Sequence, residues 1–284
     1  MNNMLHNRQI YSHIARHTSC FVTRQYSTSF SLSIRLLDHH IRGAIYAIYG
    51  FVRLGDEIVD TFIDHDRKAI LEQFRQETFR ALEYRVSMNP LLHNFQETVH
   101  KYDIDYDLIE AFFESMAMDL QTKQFERSNY TEYIYGSAEV VGLMCLKVFC
   151  KNSPESYQEL EIHAKQLGAA FQKVNFLRDI SQDTNELNRL YFPHFGNGLI
   201  DRAGLSRIVK EIESDFKDAL LGIRKLPSNA RFGVLLAYEY YQHLLEKLKT
   251  LSPESIQTTR IRVSNLMKFF LFLKTAVRFK LNII

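Results

Sequence analysis

Across 284 residues the chain carries only 5 prolines and 11 glycines. That scarcity of punctuation is the tightest constraint on its fold, because a strand-rich protein needs turn residues about every ten positions. Apolar residues instead recur at helical spacing. Ile41, Ala44, Ile45, Ile48, Val52, Gly55 and Val59 form one such series; Leu160, Ala164, Leu167, Phe171, Val174 and Leu177 form another. A third runs through Leu235, Tyr238, Leu245 and Leu248, with Gln242 as its polar member. Pro90, Pro154, Pro193, Pro227 and Pro253 fall between these segments, where helices stop or start. Ser153 before Pro154 reads as an N-cap followed by proline at the first helical position. No linker or repeat interrupts the pattern. The expectation is an all-α protein, one domain over residues 1–284, built as a bundle of roughly nine to eleven helices around one core.

Composition narrows the function classes. Hydrophobic residues at 46% and charged residues at 24% are ordinary for a soluble globular protein. A formal net charge of +2 gives no electrostatic footprint for nucleic acid, and none is expected as a partner. Cys20, Cys145 and Cys150 are too few and too irregular for a disulfide framework or zinc site, and suit small buried hydrophobes in a reducing compartment. No signal-peptide pattern or membrane-spanning run is read; Leu266 to Val277 is broken by Lys268 and Lys274. A cytoplasmic location is the expectation.

Two segments place carboxylates inside apolar helices. Asp56 and Asp60 stand four apart and so share a face, with Arg53 and Tyr49 one and two turns earlier. Asp179 and Asp183 repeat the spacing, and Asn175 and Gln172 extend their stripe backwards. Like charges at this spacing weaken an isolated helix by roughly 0.2–0.5 kcal/mol, so something must offset them. Water on an exposed face would do so, and so would a shared cation. Helices facing one another across a bundle build metal sites from such stripes, and oxygen-only ligands suit Mg²⁺ with substrate phosphate.

These residues resemble the squalene/phytoene synthase family. Asp56-Glu57-Ile58-Val59-Asp60 is similar to its first acidic motif, and Asn175-Phe176-Leu177-Arg178-Asp179-Ile180-Ser181-Gln182-Asp183 to its second. Tyr26-Ser27-Thr28-Ser29-Phe30, Ala47 to Arg53, and Tyr191-Phe192-Pro193 follow the family's order, so the resemblance spans about residues 20 to 250. It implies an isoprenoid synthase bundle with a central cavity and head-to-head condensation of two allylic diphosphates through a cyclopropyl intermediate. By the same resemblance Asp56, Asp60, Asn175, Asp179 and Asp183 hold two or three Mg²⁺ ions. Asp56, Asp60, Asp179, Asp183, Arg53 and Tyr49 are then the expected catalytic residues. Ser27, Ser29, Arg53, Tyr133, Gln172, Asn175, Arg178, Tyr191 and, on a weaker match, Tyr240 are the expected substrate contacts.

The leading expectation is phytoene from two geranylgeranyl diphosphates, without NADPH. Squalene, dehydrosqualene or hydroxysqualene from two farnesyl diphosphates is the alternative, and a non-catalytic membrane assembly factor is a third. Glu57 stands where the family commonly has aspartate; its angle turns it from the Asp56/Asp60 face, and little effect is expected. Tyr26 stands where some members have histidine. Asp119 is expected to make a structural hydrogen bond, and His39 and His40 to lie on the surface. Tyr135-Gly136-Ser137-Ala138 is expected to let a helix approach closely or kink beside the pocket. The basic, apolar segment Arg260 to Lys280 reads as a helix docked on the core or lying on an anionic membrane; peripheral contact at the inner face is expected.

Overall fold

The structure, a computed structural model, describes residues 2–122, 124–187, 189–193 and 200–281. Its helices are α1 (Asn2–Tyr26), α2 (Thr28–Arg35), α3 (His39–Asp60), α4 (Arg67–Tyr84), α5 (Pro90–Tyr102), α6 (Tyr106–Gln121) and α7 (Arg127–Ile134). A π-helical turn, Tyr135–Glu139, leads into α8 (Val140–Phe149). Then come α9 (Pro154–Asn185), α10 (Arg202–Lys225), α11 (Ser228–Lys249), α12 (Pro253–Thr258) and α13 (Asn265–Lys280). Among the described residues the only β pairing is an isolated bridge between Gln124 and Leu190.

The helix number exceeds the expected nine to eleven because α2, α7 and α12 span only six to eight residues. Such segments are shorter than one period window. Local chemistry starts them instead. Ser27 adopts extended backbone and its Oγ accepts from the Phe30 N–H at 3.1 Å, which separates α2 from α1. Asp38 caps α3 in the same way through the His40 N–H. Pro90, Pro154 and Pro253 occupy the first turns of α5, α9 and α12. Ser153 does hold the N-cap position of α9, but its side chain makes no capping bond.

The buried interior forms two large apolar clusters and a small one, not the single core expected. One cluster gathers α2 to α6 with α8 around Phe51, Phe95 and Phe112; the other gathers α9 to α11 around Phe176, Phe216 and Leu245. A cavity lined from both clusters accounts for the division. Small residues set the approach of the helices around it. A Cβ on Gly168 of α9 would stand 2.5 Å from the Ala138 carbonyl oxygen in the π-turn, and one on Gly136 would stand 2.4 Å from that of Ala111 in α6. The expected close approach and distortion at Tyr135–Ala138 therefore occur together, and Ser137 and Ala138 line the cavity. Gly168→Ala should cost roughly 1–3 kcal/mol, because backbone and not a flexible side chain must yield. A thermal midpoint equal to the parent's would contradict that packing.

Candidate active site

Helix α3 carries Asp56 and Asp60 in its last two turns, and α9 carries Asp179 and Asp183 in its last two. A helix C-terminus presents unpaired carbonyls and partial negative charge. Both ends thus concentrate negative potential beyond the carboxylates themselves. The two ends meet: Asp60 adds to the negative field felt by Asp183, and all four aspartates line one cavity of about 500 Å³. Away from this acidic end the lining turns apolar, through Ile45 and Ile48 on α3 and Leu167, Ala164 and Leu160 on α9. From Asp183 to Leu160 the wall on α9 runs about 34 Å at 1.5 Å per residue.

The structure brings together Ser27, Tyr49, Arg53, Asp56, Asp60, Tyr133, Gln172, Asn175, Arg178, Asp179, Asp183 and Tyr191 as cavity-lining residues. Two expected substrate contacts fall elsewhere. Tyr240 packs with Leu236 and Leu271, and its hydroxyl donates to the Lys268 carbonyl at 3.1 Å. Its neighbour Tyr241, turned about 100° around the helix, lines the cavity, donates to Asn175 Oδ1 at 3.2 Å and stacks on Phe171. Ser29 lies on α2, half-buried and outside the cavity lining, whereas Ser27 spends its Oγ as the helix cap beside Tyr49.

Four arginines hold the carboxylates. Arg178 pairs with Asp179, and Arg260, from the segment before α13, reaches the same carboxylate at 2.8 Å. Arg53 lies 3.7 Å from Asp56, pairs with Glu57 and sits over the Tyr26 ring at 4.2 Å. Glu57 does turn from the cavity, but it is not idle: it holds Arg53 and accepts from Thr61 Oγ1 at 2.8 Å. Arg189 is the fourth. It donates to Asp60 at 2.6 Å, to the Val59 carbonyl at 2.8 Å and to the Tyr191 hydroxyl at 3.3 Å, and stands 3.8 Å from Asp119.

Asp119 makes the expected hydrogen bonds, and more of them than a single structural contact. Tyr133 donates to it at 2.6 Å and Tyr191 at 2.9 Å, within a stack that includes Phe125 and Phe176. Sequence reasoning missed Arg189, Arg260 and Tyr241. No local signal marks either arginine, because each pairs with a carboxylate far away in the sequence. His39 and His40 are exposed, as expected.

Burial raises the pKa of three of these carboxyls. Burial, with Asp179 and Asp60 adding, lifts Asp183 to about 8; burial lifts Asp56 to about 7 and Asp119 to about 6. In each case the folded value lies above the ordinary 3.8. Protonation therefore favours the fold, a contribution complete below about pH 4 and lost as pH rises through about 6 to 8. Metal-free protein should show a falling unfolding free energy between about pH 6 and about pH 8 in urea titrations. A flat or rising profile would contradict this description of the cluster.

The donor set fits a hard divalent cation. Two carboxylate pairs and the Asn175 side-chain oxygen offer hard oxygen ligands around one cavity. Among the described residues only Asp38, His39 and His40 bring three donor atoms within 4.8 Å of one another. The four aspartates therefore do not form a closed all-protein cage on their own.

Comparison with known proteins places this arrangement. The family described as squalene/phytoene synthase matches residues 23–195, and the chain belongs to it. It is 28% identical over 253 residues to a chloroplastic phytoene synthase of an Oncidium hybrid cultivar, which covers 80% of this chain and 60% of the relative. It is 26% identical over 241 residues to a 4,4'-diapophytoene synthase of Staphylococcus haemolyticus, covering 82% and 78%. A solved dehydrosqualene synthase in complex with ligand superposes with a TM-score of 0.82 at 21% identity, over 96% of this chain and 98% of that one. The fold is accordingly of the isoprenoid synthase type. The chain spans about three-fifths of the length of the plant phytoene synthases it matches.

Proposed function

We propose that the chain condenses two allylic isoprenoid diphosphates head to head, through a cyclopropyl diphosphate, with phytoene from two geranylgeranyl diphosphates as the leading product. The observation that carries this reading is the pairing of two acidic helix ends with a long apolar cavity. Relatives named phytoene synthase and 4,4'-diapophytoene synthase support the reaction class and keep both prenyl lengths in play.

Asp56, Asp60, Asn175, Asp179 and Asp183 would hold Mg²⁺, which when bound supplies Lewis-acid charge to a departing diphosphate. Arg53 has a buried Nε without a hydrogen-bond partner, a donor suited to a phosphate oxygen. Arg178, Arg260 and Gln172 border the same space. Preorganised positive charge of this kind acts most strongly where water is excluded. Phe30, Tyr49, Phe171 and Tyr241 surround the adjoining stretch of the lining, with ring centroids 4.1–6.0 Å apart. Their faces would stabilise an allylic cation by about 2 kcal/mol when desolvated, and the apolar wall would keep water from quenching it. Burial of prenyl tails contributes roughly 0.8 kcal/mol per CH₂ and holds the reacting ends together.

The test is incubation of purified protein with farnesyl or geranylgeranyl diphosphate, with Mg²⁺, with and without NADPH, and identification of products by mass. A C40 hydrocarbon formed without NADPH is the expected result. A C30 product would move the assignment to the farnesyl alternative; absence of any condensation product would remove the catalytic reading and favour an assembly role.

A further inference from the structure

Helices α8, α9 and α10 close the cavity at the end away from the carboxylates. Close contacts fix their registers. A Cβ on Gly142 of α8 would stand 2.6 Å from the Ala164 carbonyl oxygen on α9, and Gly168 meets Ala138 in the turn that leads into α8. On the other side of α9, Lys173 pairs with Asp215 of α10 at 2.7 Å, and a Cβ on Gly222 would stand 2.3 Å from the His163 Cβ. Rising number on α9 thus matches falling number on both neighbours, which run antiparallel to it. The lining supplied by α10 is confined to its C-terminal turns, from Ala219 to the cap Leu226, level with His163. On α8 the last lining residue is Phe149, and on α9 the outermost is Leu160. One turn further out, Lys225 pairs with Glu159 at 2.5 Å, and both are more than half exposed. The hole therefore ends at His163 and Leu160, with solvent behind them.

His163 is the polar member of this floor. Its Nδ1 is buried and has no hydrogen-bond partner, so contact with α10 sets the ring, in the space that Gly222 leaves free. An unpaired buried nitrogen costs stability that an apolar side chain would not. What the imidazole supplies is a stiff block; unlike an unbranched side chain such as methionine, a ring cannot fold up to make room. Its depth matches a tail length. From Asp179 to His163 the α9 wall spans 16 residues, about 24 Å at 1.5 Å per residue. An extended prenyl chain has four carbon–carbon bonds of about 1.5 Å per unit and advances roughly 5 Å for each. With a diphosphate at the carboxylates taking the first few ångströms, a four-unit tail ends at the ring. A three-unit tail stops about 5 Å short of it.

We propose that His163, seated on Gly222, determines the longest prenyl tail that can lie along α9, and that the limit is four isoprene units. The assignment rests on the isoprenoid reading of the cavity and adds to it a residue and a length. A five-unit tail meets the ring and must displace packed side chains. A three-unit tail fits but leaves the floor uncovered and forfeits the burial of one unit. The side chain acts by its shape, so the ring and not its nitrogen sets the limit.

Titration calorimetry of the whole chain with Mg²⁺ and unreactive thio analogues of farnesyl, geranylgeranyl and geranylfarnesyl diphosphate reads this limit without turnover. The parent should bind the twenty-carbon analogue at least about tenfold more tightly than the twenty-five-carbon one. His163→Ala should erase that ratio, and His163→Phe, which keeps a ring, should retain it. His163→Trp should act in the opposite direction, moving the ratio of fifteen- to twenty-carbon affinity at least about tenfold toward the shorter tail. A parent-like ratio in His163→Ala, or an erased one in His163→Phe, would overturn the assignment and leave the isoprenoid reading standing. If His163→Ala does not fold, the tryptophan variant decides, and an unchanged ratio there would equally overturn it. A parent that binds none of the three analogues would overturn both.

Discussion

Asp56→Ala and Asp179→Ala are each expected to lower turnover of an allylic diphosphate about a thousandfold while leaving the helical circular-dichroism signal intact. On the proposed reading each substitution removes one carboxylate ligand from a different acidic helix end, so comparable losses from both are expected. Neither should unfold the protein. Asp56 has a pKa pushed up to about 7, a sign that the fold tolerates its charge poorly, and burial is the main cause. Replacing it relieves like-charge repulsion from Asp60 and Asp119. Function and stability should therefore separate, with activity lost and the thermal midpoint held or raised. A variant that keeps near-normal rate would remove the assignment of that residue.

Arg189→Gln should have the largest effect on the metal-free fold, a loss of about 3 kcal/mol in urea unfolding. The guanidinium is nearly buried between Asp60 and the buried Asp119, and it also closes the α3 end by donating to the Val59 carbonyl. Glutamine keeps some hydrogen bonding but leaves Asp119 buried without its cation. Arg189→Lys should recover part of the loss, because a single ammonium can meet Asp60 but cannot also span to Val59. A stability change under about 0.5 kcal/mol for Arg189→Gln would show that the contact is peripheral to the fold.

Much of this arrangement is legible in the sequence because it follows the period of a helix. Spacing alone puts Asp56 with Asp60 and Asp179 with Asp183, and the apolar series on α3 and α9 fixes which faces turn inward. The Gly136 and Ser137 segment likewise signals close approach by residue size. Register and reach are harder. Tyr240 and Tyr241 differ by one position on a helix whose sequence is rich in aromatics on several sides, and only packing against Leu271 decides between them. Glu57 lies four residues after Arg53, so its ion pair is readable from spacing. Arg189 and Arg260 reach carboxylates 129 and 81 residues distant along the chain, and no local pattern encodes such pairs. The division of the interior into two clusters is hidden for a similar reason: a cavity wall and a packed core use the same residue types.

The most direct measurement is a crystal structure with Mg²⁺ and an unreactive thio analogue of an allylic diphosphate. The diphosphate should sit between the ends of α3 and α9, with cations bridging it to Asp56 and Asp60 on one side and to Asn175, Asp179 and Asp183 on the other, and the prenyl tail running toward Leu160. A diphosphate bound away from these carboxylates, or cations held elsewhere, would contradict it.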